Sequence, residues 1–156
     1  MFTIIEASKD EHYRAGGYLF KEYADSLDFT LAFQRFEDEL TILPKMYGPP
    51  DGALLLVANE GKFVGAAGLR RIENDVTCEV KRMFIQPGFQ GTGMGKALMN
   101  ALIQKAQQLG YQTIKLDTLG PKMPAAVNLY KSFGFVETVP YNFNPHEGVL
   151  YFEKQL

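Results

Sequence analysis

The stretch that decides the reading is Glu79-Val80-Lys81-Arg82-Met83-Phe84-Ile85, followed after a Pro87-Gly88 break by Gln90-Gly91-Thr92-Gly93-Met94-Gly95-Lys96. The first segment reads as a strand, and the second is a glycine-rich turn that opens a helix. From Gly93 onward Met94, Ala97, Leu98, Ala101, Leu102 and Leu109 recur at helical spacing, and Gly110 stands where such a helix stops. A helix start leaves backbone amides without intrahelical partners and carries partial positive charge. Glycines there remove side chains that would keep an anion away, so the segment suits a phosphate or pyrophosphate. Hydrogen bonds to a charged group contribute roughly 1.5–3 kcal/mol each, so a few such amides anchor a nucleotide.

Two other phosphate loops fail on spacing. The pattern G-x-x-x-x-G-K-[ST] would put glycine at Gln90 and a hydroxyl at Ala97, so the magnesium-holding hydroxyl is missing. The dinucleotide pattern G-x-G-x-x-G needs a third glycine at Lys96 or Leu98.

Working outward, Phe2 to Ala7 reads as a strand. Ser8 and Glu11 have capping-box spacing before a helix carrying Ala15, Leu19, Tyr23 and Leu27 on one stripe, with a bend expected at Gly16-Gly17. A second helix is expected from near Thr30, on Phe33, Phe36, Leu40 and Leu43, with Pro44 ending it. After the turn-rich Pro49-Pro50-Asp51-Gly52, strands are expected over Ala53 to Asn59, Lys62 to Glu73 and Val76 to Ile85. Their short connectors Glu60-Gly61 and Asn74-Asp75 favour an antiparallel meander. Thr113 to Asp117 reads as a strand and Ala125 to Phe133 as a helix stopped by Gly134. Phe135 to Val139 and Val149 to Glu153 read as the last strands.

At 156 residues, with 46% hydrophobic and 22% charged residues, the chain is expected to form one mixed α/β domain over residues 1–156. A net charge of -2 gives no electrostatic case for nucleic acid. Cys78 is the sole cysteine, so neither an internal disulfide nor a cysteine metal cluster forms, and core packing is its expected role. His12 and His146 lack ligand spacing, so no metal site is expected. No apolar run approaches the ~18–20 residues of a membrane span, and the first residues do not read as a secretory signal. No membrane association and a cytoplasmic location are the expectations.

Gln90, Gly93 and Gly95 fill the pattern Q/R-x-x-G-x-G/A, which resembles the acetyl-CoA signature of the GNAT N-acetyltransferase superfamily. The strand before it, the helix after it, and the later Asn128-Leu129-Tyr130-Lys131-Ser132-Phe133-Gly134-Phe135 resemble the same family, and the element order agrees over nearly the whole chain. The resemblance implies a mostly antiparallel twisted sheet of about six or seven strands, about four flanking helices, and central strands that splay apart around acetyl-pantetheine. It implies that Met83, Phe84 and Ile85 offer backbone groups to pantetheine. Gln90, Gly91, Thr92, Gly93, Met94, Gly95 and Lys96 then hold the pyrophosphate, and Asn128 and Tyr130 lie near the amide and sulfur.

The implied reaction moves acetyl from acetyl-CoA, the cosubstrate, directly to a primary amine of a small molecule or peptide through a tetrahedral intermediate. An alkyl amine is mostly protonated at neutral pH, its pKa being near ~10.4, so a base helps. The resemblance puts Glu79 in that role; the other reading is an ordinary exposed strand glutamate, or a partner of Lys81 or Arg71. A backbone N–H around Phe84 is the implied oxyanion donor, a type of contact worth roughly 2.7–4 kcal/mol in the transition state. Tyr130 is the implied acid for the departing thiolate; the other reading is a core tyrosine. The resemblance puts the first two helices and the loop between the last strands beside the acceptor, where Phe29, Tyr47, Tyr141 and Phe143, with Arg70, Arg71 and Glu73, would shape the site. For any one of them plain packing or solvated surface is the preferred reading. The sequence does not decide the oligomeric state; a homodimer is suggested by family analogy only.

Overall fold

The computed structural model describes residues 1–27, 30–31, 35–120 and 123–156. Among them, seven strands form one sheet in the order β1-β2-β3-β4-β5-β7-β6: β1 (Phe2–Glu6), β2 (Ala53–Asn59), β3 (Lys62–Arg71), β4 (Thr77–Ile85), β5 (Thr113–Leu119), β6 (Val136–Thr138) and β7 (Val149–Gln155). Every neighbouring pair is antiparallel except β4–β5. The helices are α1 (Asp10–Asp25), α2 (Phe36–Leu40), α3 (Leu43–Met46), α4 (Met94–Gln108) and α5 (Pro124–Ser132).

The two-residue period of strands explains the layering. On β2, Ala53, Leu55 and Val57 join one core with Leu98, Met99 and Leu102 of α4. Leu54 and Leu56 face the opposite way, into a second core with Leu19 and Phe20 of α1. Helices thus cover both faces, and β2 reads as an unbroken apolar run because both of its faces are buried.

Three local expectations need correction. The helix expected from Thr30 to Leu43 is in the described residues two short ones, α2 and α3, so five helices rather than four flank the sheet. Pro44 lies in the first turn of α3 and begins a helix, since first-turn positions need no N–H donor. Phe33, named for that helix, lies outside the described residues, as does Phe29.

The Ser8–Glu11 capping box does not form. Lys9 is the N-cap of α1, without a side-chain cap bond, and the Ser8 amide donates instead to His12 Nδ1 at 3.0 Å. The third correction concerns Gly16-Gly17, which does not break α1. A Cβ on Gly16 would stand 2.7 Å from Leu54 Cδ1, so the glycine lets the helix lie close against β2.

What positions the site is the divergence of β4 from β5. Their parallel pairing covers only Thr77↔Thr113, Cys78↔Ile114 and Glu79↔Lys115. Beyond it β4 stays with β3 but bulges: Gly68 pairs with Lys81 and Ala66 with Phe84, so Arg82 and Met83 together oppose Ala67. Arg82 takes φ 59, and a bulge of this kind bends and twists its strand. The expected splay of the central strands is present.

Candidate active site at the splayed strands

Between the diverging strands lies a cleft of about 490 Å³. Val80 to Ile85 form its β4 wall, and Leu116, Asp117 and Thr118 its β5 wall. Gln90, Gly91 and Gly95 stand at one end, Leu129 and Tyr130 of α5 close one side, and Tyr23 and Ser26 reach in from the end of α1.

The glycine loop is shaped by its own polar side chains. Gln90 Nε2 donates to the Ile85 carbonyl at 3.1 Å, and Thr92 Oγ1 donates to the Phe89 carbonyl. Gly91 and Gly93 adopt φ 78 and 88, a region that costs other L-residues energy, and no heavy atom lies within 4 Å of where their Cβ atoms would stand. Gly93 is the N-cap of α4. Open space therefore meets the amide-bearing start of a fifteen-residue helix, a cradle that fits a pyrophosphate. The Met94 side chain turns into the core, so its part there is limited to its backbone, while Lys96 is exposed at the rim.

Met83, Phe84 and Ile85 all line the cleft, as does Tyr130. The Tyr130 ring packs against Phe135 and Phe152. Burial, then the nearby Tyr23 and Asp117, push its phenol above the ordinary value, so the hydroxyl keeps its proton at neutral pH. Asn128 is exposed on α5 and is not part of the cleft wall.

Glu79 is not the exposed strand glutamate of one sequence reading. It is 1% exposed and does not line the cleft. Arg70 Nε donates to its Oε1 at 3.1 Å and the Tyr141 hydroxyl to its Oε2 at 2.6 Å. The named partner Arg71 instead pairs with Asp75 and Asp51. Burial, then the charges of Glu79 and Asp117, raise the Tyr141 phenol well above its ordinary value. Glu73 pairs with Lys115, whose ammonium lies over the Tyr141 ring. Arg70, Glu73 and Tyr141 thus gather around one polar patch of the sheet. Tyr47 is instead fully buried and packs edge-on against Phe20, and Phe143 is exposed.

Sequence reasoning passed over Asp117, Lys81 and Tyr23. Lys81 is 7% exposed and lines the cleft; burial lowers its ammonium pKa, against the opposing pull of Glu79. The available signal was alternation: Ile114 and Leu116 are core, so Lys115 and Asp117 share the other face with Glu79 and Lys81 once β5 lies beside β4. Among the described residues no cluster of ligating side chains suited to a metal occurs, and no helix is long and apolar enough to cross a membrane.

The model of the acetyltransferase (GNAT) family matches residues 16–135. An uncharacterized N-acetyltransferase of Schizosaccharomyces pombe is 37% identical over 139 residues, spanning 88% of this chain and 85% of that protein. N-acetylaspartate synthetase of Danio rerio is 38% identical over 90 residues, 57% of this chain and 32% of that protein. An acetyltransferase from Streptococcus agalactiae shares the fold with a TM-score of 0.81 at 22% identity, covering 99% of this chain and 98% of its own. A Salmonella typhimurium protein solved with its cofactor acetyl-CoA gives 0.69 at 19% identity, covering 99% and 93%. With a family match across more than half its length, the chain belongs to the GNAT acetyltransferase family and is a transferase.

Proposed function

We propose that the protein transfers acetyl from acetyl-CoA directly to a primary amine of a small molecule or peptide, through a tetrahedral intermediate. The observation that carries this reading is the continuous cleft from the Gln90–Gly95 loop, between β4 and β5, to Tyr130. The amides at the start of α4 hold the pyrophosphate, and the exposed strand edge of Met83 to Ile85 receives the pantetheine arm. A backbone N–H around Phe84 stabilises the oxyanion. The amine nitrogen attacks the thioester carbonyl carbon, the carbon–sulfur bond breaks, and the Tyr130 hydroxyl gives its proton to the leaving thiolate. Glu79 does not line the cleft and accepts from the Tyr141 hydroxyl, so it stands behind this scheme rather than against the substrate.

The acceptor belongs among amines small enough for the space between Tyr23, Lys81 and Asp117. The similarity to an N-acetylaspartate synthetase makes L-aspartate the first amine to try. The test is acetyl-CoA-dependent thiol release over a panel of amino acids, peptides, simple amines and aminoglycosides. Release above the no-acceptor background with one group supports transfer and names the acceptor class. Binding of acetyl-CoA without release for any amine overturns the transfer reading in favour of a CoA-binding module.

A further inference from the structure

Asp117 lies two residues past the last β4–β5 pair, where β5 has lost its neighbour and faces the cleft. It is half-buried, and its Oδ2 accepts one hydrogen bond, from Asn142 Nδ2 at 2.9 Å. No other hydrogen bond or ion pair falls on it among the described residues. Glu79 is the reverse case: nearly inaccessible, outside the cleft wall, with both oxygens already accepting. A carboxylate that is to meet a substrate ammonium needs an open oxygen and a path to it. Asp117 has both.

We propose that Asp117 binds the acceptor's ammonium group and takes its proton, while Glu79 is a positioning residue that fixes Arg70 and Tyr141 behind it; this rests on the transferase reading above. Groups from every surrounding element face Asp117: Tyr23 of α1, Lys81 of β4, Tyr130 of α5, Tyr141 of the following loop and Tyr151 of β7. Four of these five are phenols, neutral at pH 7, and two of them, Tyr23 and Tyr130, line the cleft where the amine would enter. A free carboxylate near pKa ~4 is a poor base toward an ammonium near ~10 in water. Within an ammonium–carboxylate pair, proton transfer yields two neutral groups, a change that a low-dielectric surrounding favours.

The protons balance. One of the three on the ammonium passes to Asp117 and on to solvent. A second leaves the nitrogen as the carbon–sulfur bond breaks and restores the Tyr130 hydroxyl, whose own proton went to the thiolate. The third stays on the amide product.

The test compares wild type, Asp117→Asn, Asp117→Glu and Glu79→Gln, using the best amine from the panel, in kcat/KM against pH, with acetyl-CoA affinity measured by calorimetry. Asp117→Asn keeps the shape of the side chain and a carbonyl for Asn142. It is expected to lose roughly 10²-fold in kcat/KM at pH 7, in the range of a general base. It should regain rate steadily as pH rises toward the amine's own pKa, with acetyl-CoA affinity unchanged within twofold. Asp117→Glu should restore part of the loss, and Glu79→Gln should keep the wild-type pH profile even if slower. Asp117→Asn within threefold of wild type with the same profile overturns the proposal, as does Glu79→Gln abolishing the neutral-pH plateau instead. A wild-type protein that binds acetyl-CoA but acetylates no amine overturns the transferase reading together with it, an outcome distinct from either.

Discussion

Arg82 and Glu39 form a two-pronged buried pair, Nε to Oε2 at 3.1 Å and Nη2 to Oε1 at 3.0 Å, with side chains 4% and 2% exposed. The Phe36 ring lies 5.1 Å beneath the guanidinium. Burial by itself would lower the Arg82 pKa, but the hydrogen bonds and charge of Glu39 outweigh it and raise it. The pair pins α2 to the bulge of β4, the same bulge that steers Met83 and Phe84 along the cleft.

Removing one partner of a buried ion pair is destabilising, at a cost of up to about 3–5 kcal/mol. Glu39→Ala is therefore expected to lower stability by that order in urea denaturation, and to weaken acetyl-CoA binding in the fraction still folded. A loss under about 1 kcal/mol would mean that the guanidinium finds water or another acceptor and that α2 is not held by this contact.

Cys78 tests whether acetyl passes through the enzyme. Its side chain is fully buried, and burial, then the adjacent Glu79 charge, push the thiol up to about 12. Only a thiolate attacks a thioester readily, and almost none is present at neutral pH. The native protein should therefore resist a thiol-reactive disulfide at pH 7.5 with turnover intact, and react with one equivalent once unfolded in urea. Rapid native modification with matching loss of turnover would speak for an acetyl-cysteine route.

For Tyr130, substitution by Phe keeps the ring contacts with Phe135 and Phe152 and removes only the hydroxyl. We expect kcat to fall by about 10²-fold, with acetyl-CoA affinity and melting temperature close to wild type. The pH dependence follows in sign. The folded-state phenol holds its proton above the ordinary 10.0, so any alkaline decline of kcat caused by its ionisation should lie above pH 10. By linkage its contribution to stability is complete below about pH 10 and is lost as pH climbs through the raised value. An unchanged kcat in the Phe variant at saturating substrates would remove Tyr130 from the chemistry.

What was legible in the chain was what local pattern controls. β2 was delimited at Ala53 and Asn59 because turn residues bracket a run buried on both faces. α4 followed from its apolar spacing and the Gln90–Gly95 turn. Misread were features decided by neighbours distant in sequence. Pro44 is the local exception, beginning a helix because it falls in the first turn of α3, where no N–H donor is needed. Gly16 is fitted to Leu54 of β2 rather than to a bend. Glu79 reads as an exposed strand acid or a base until Arg70 and Tyr141, 9 and 62 residues away, arrive on its two oxygens. Asp117 has no motif at all. Its place in the cleft depends on β5 lying parallel to β4 for three pairs and then parting from it.

Gly93 separates conformation from space in the phosphate loop. Its φ of 88 costs an L-residue roughly 1–2 kcal/mol, while nothing lies within 4 Å of the missing Cβ. Gly93→Val, β-branched, should lose both stability and acetyl-CoA affinity, the latter by tenfold or more. Gly93→Asn is the sharper probe, because asparagine tolerates the left-handed region and should melt near wild type while still projecting a side chain into the cradle. If the pyrophosphate lies over this residue, the Asn variant binds acetyl-CoA at least tenfold more weakly by calorimetry despite its intact fold. If it binds as tightly as wild type, the valine defect is conformational alone, and the phosphate contact shifts to the amides further along the helix start, at Gly95 and Lys96.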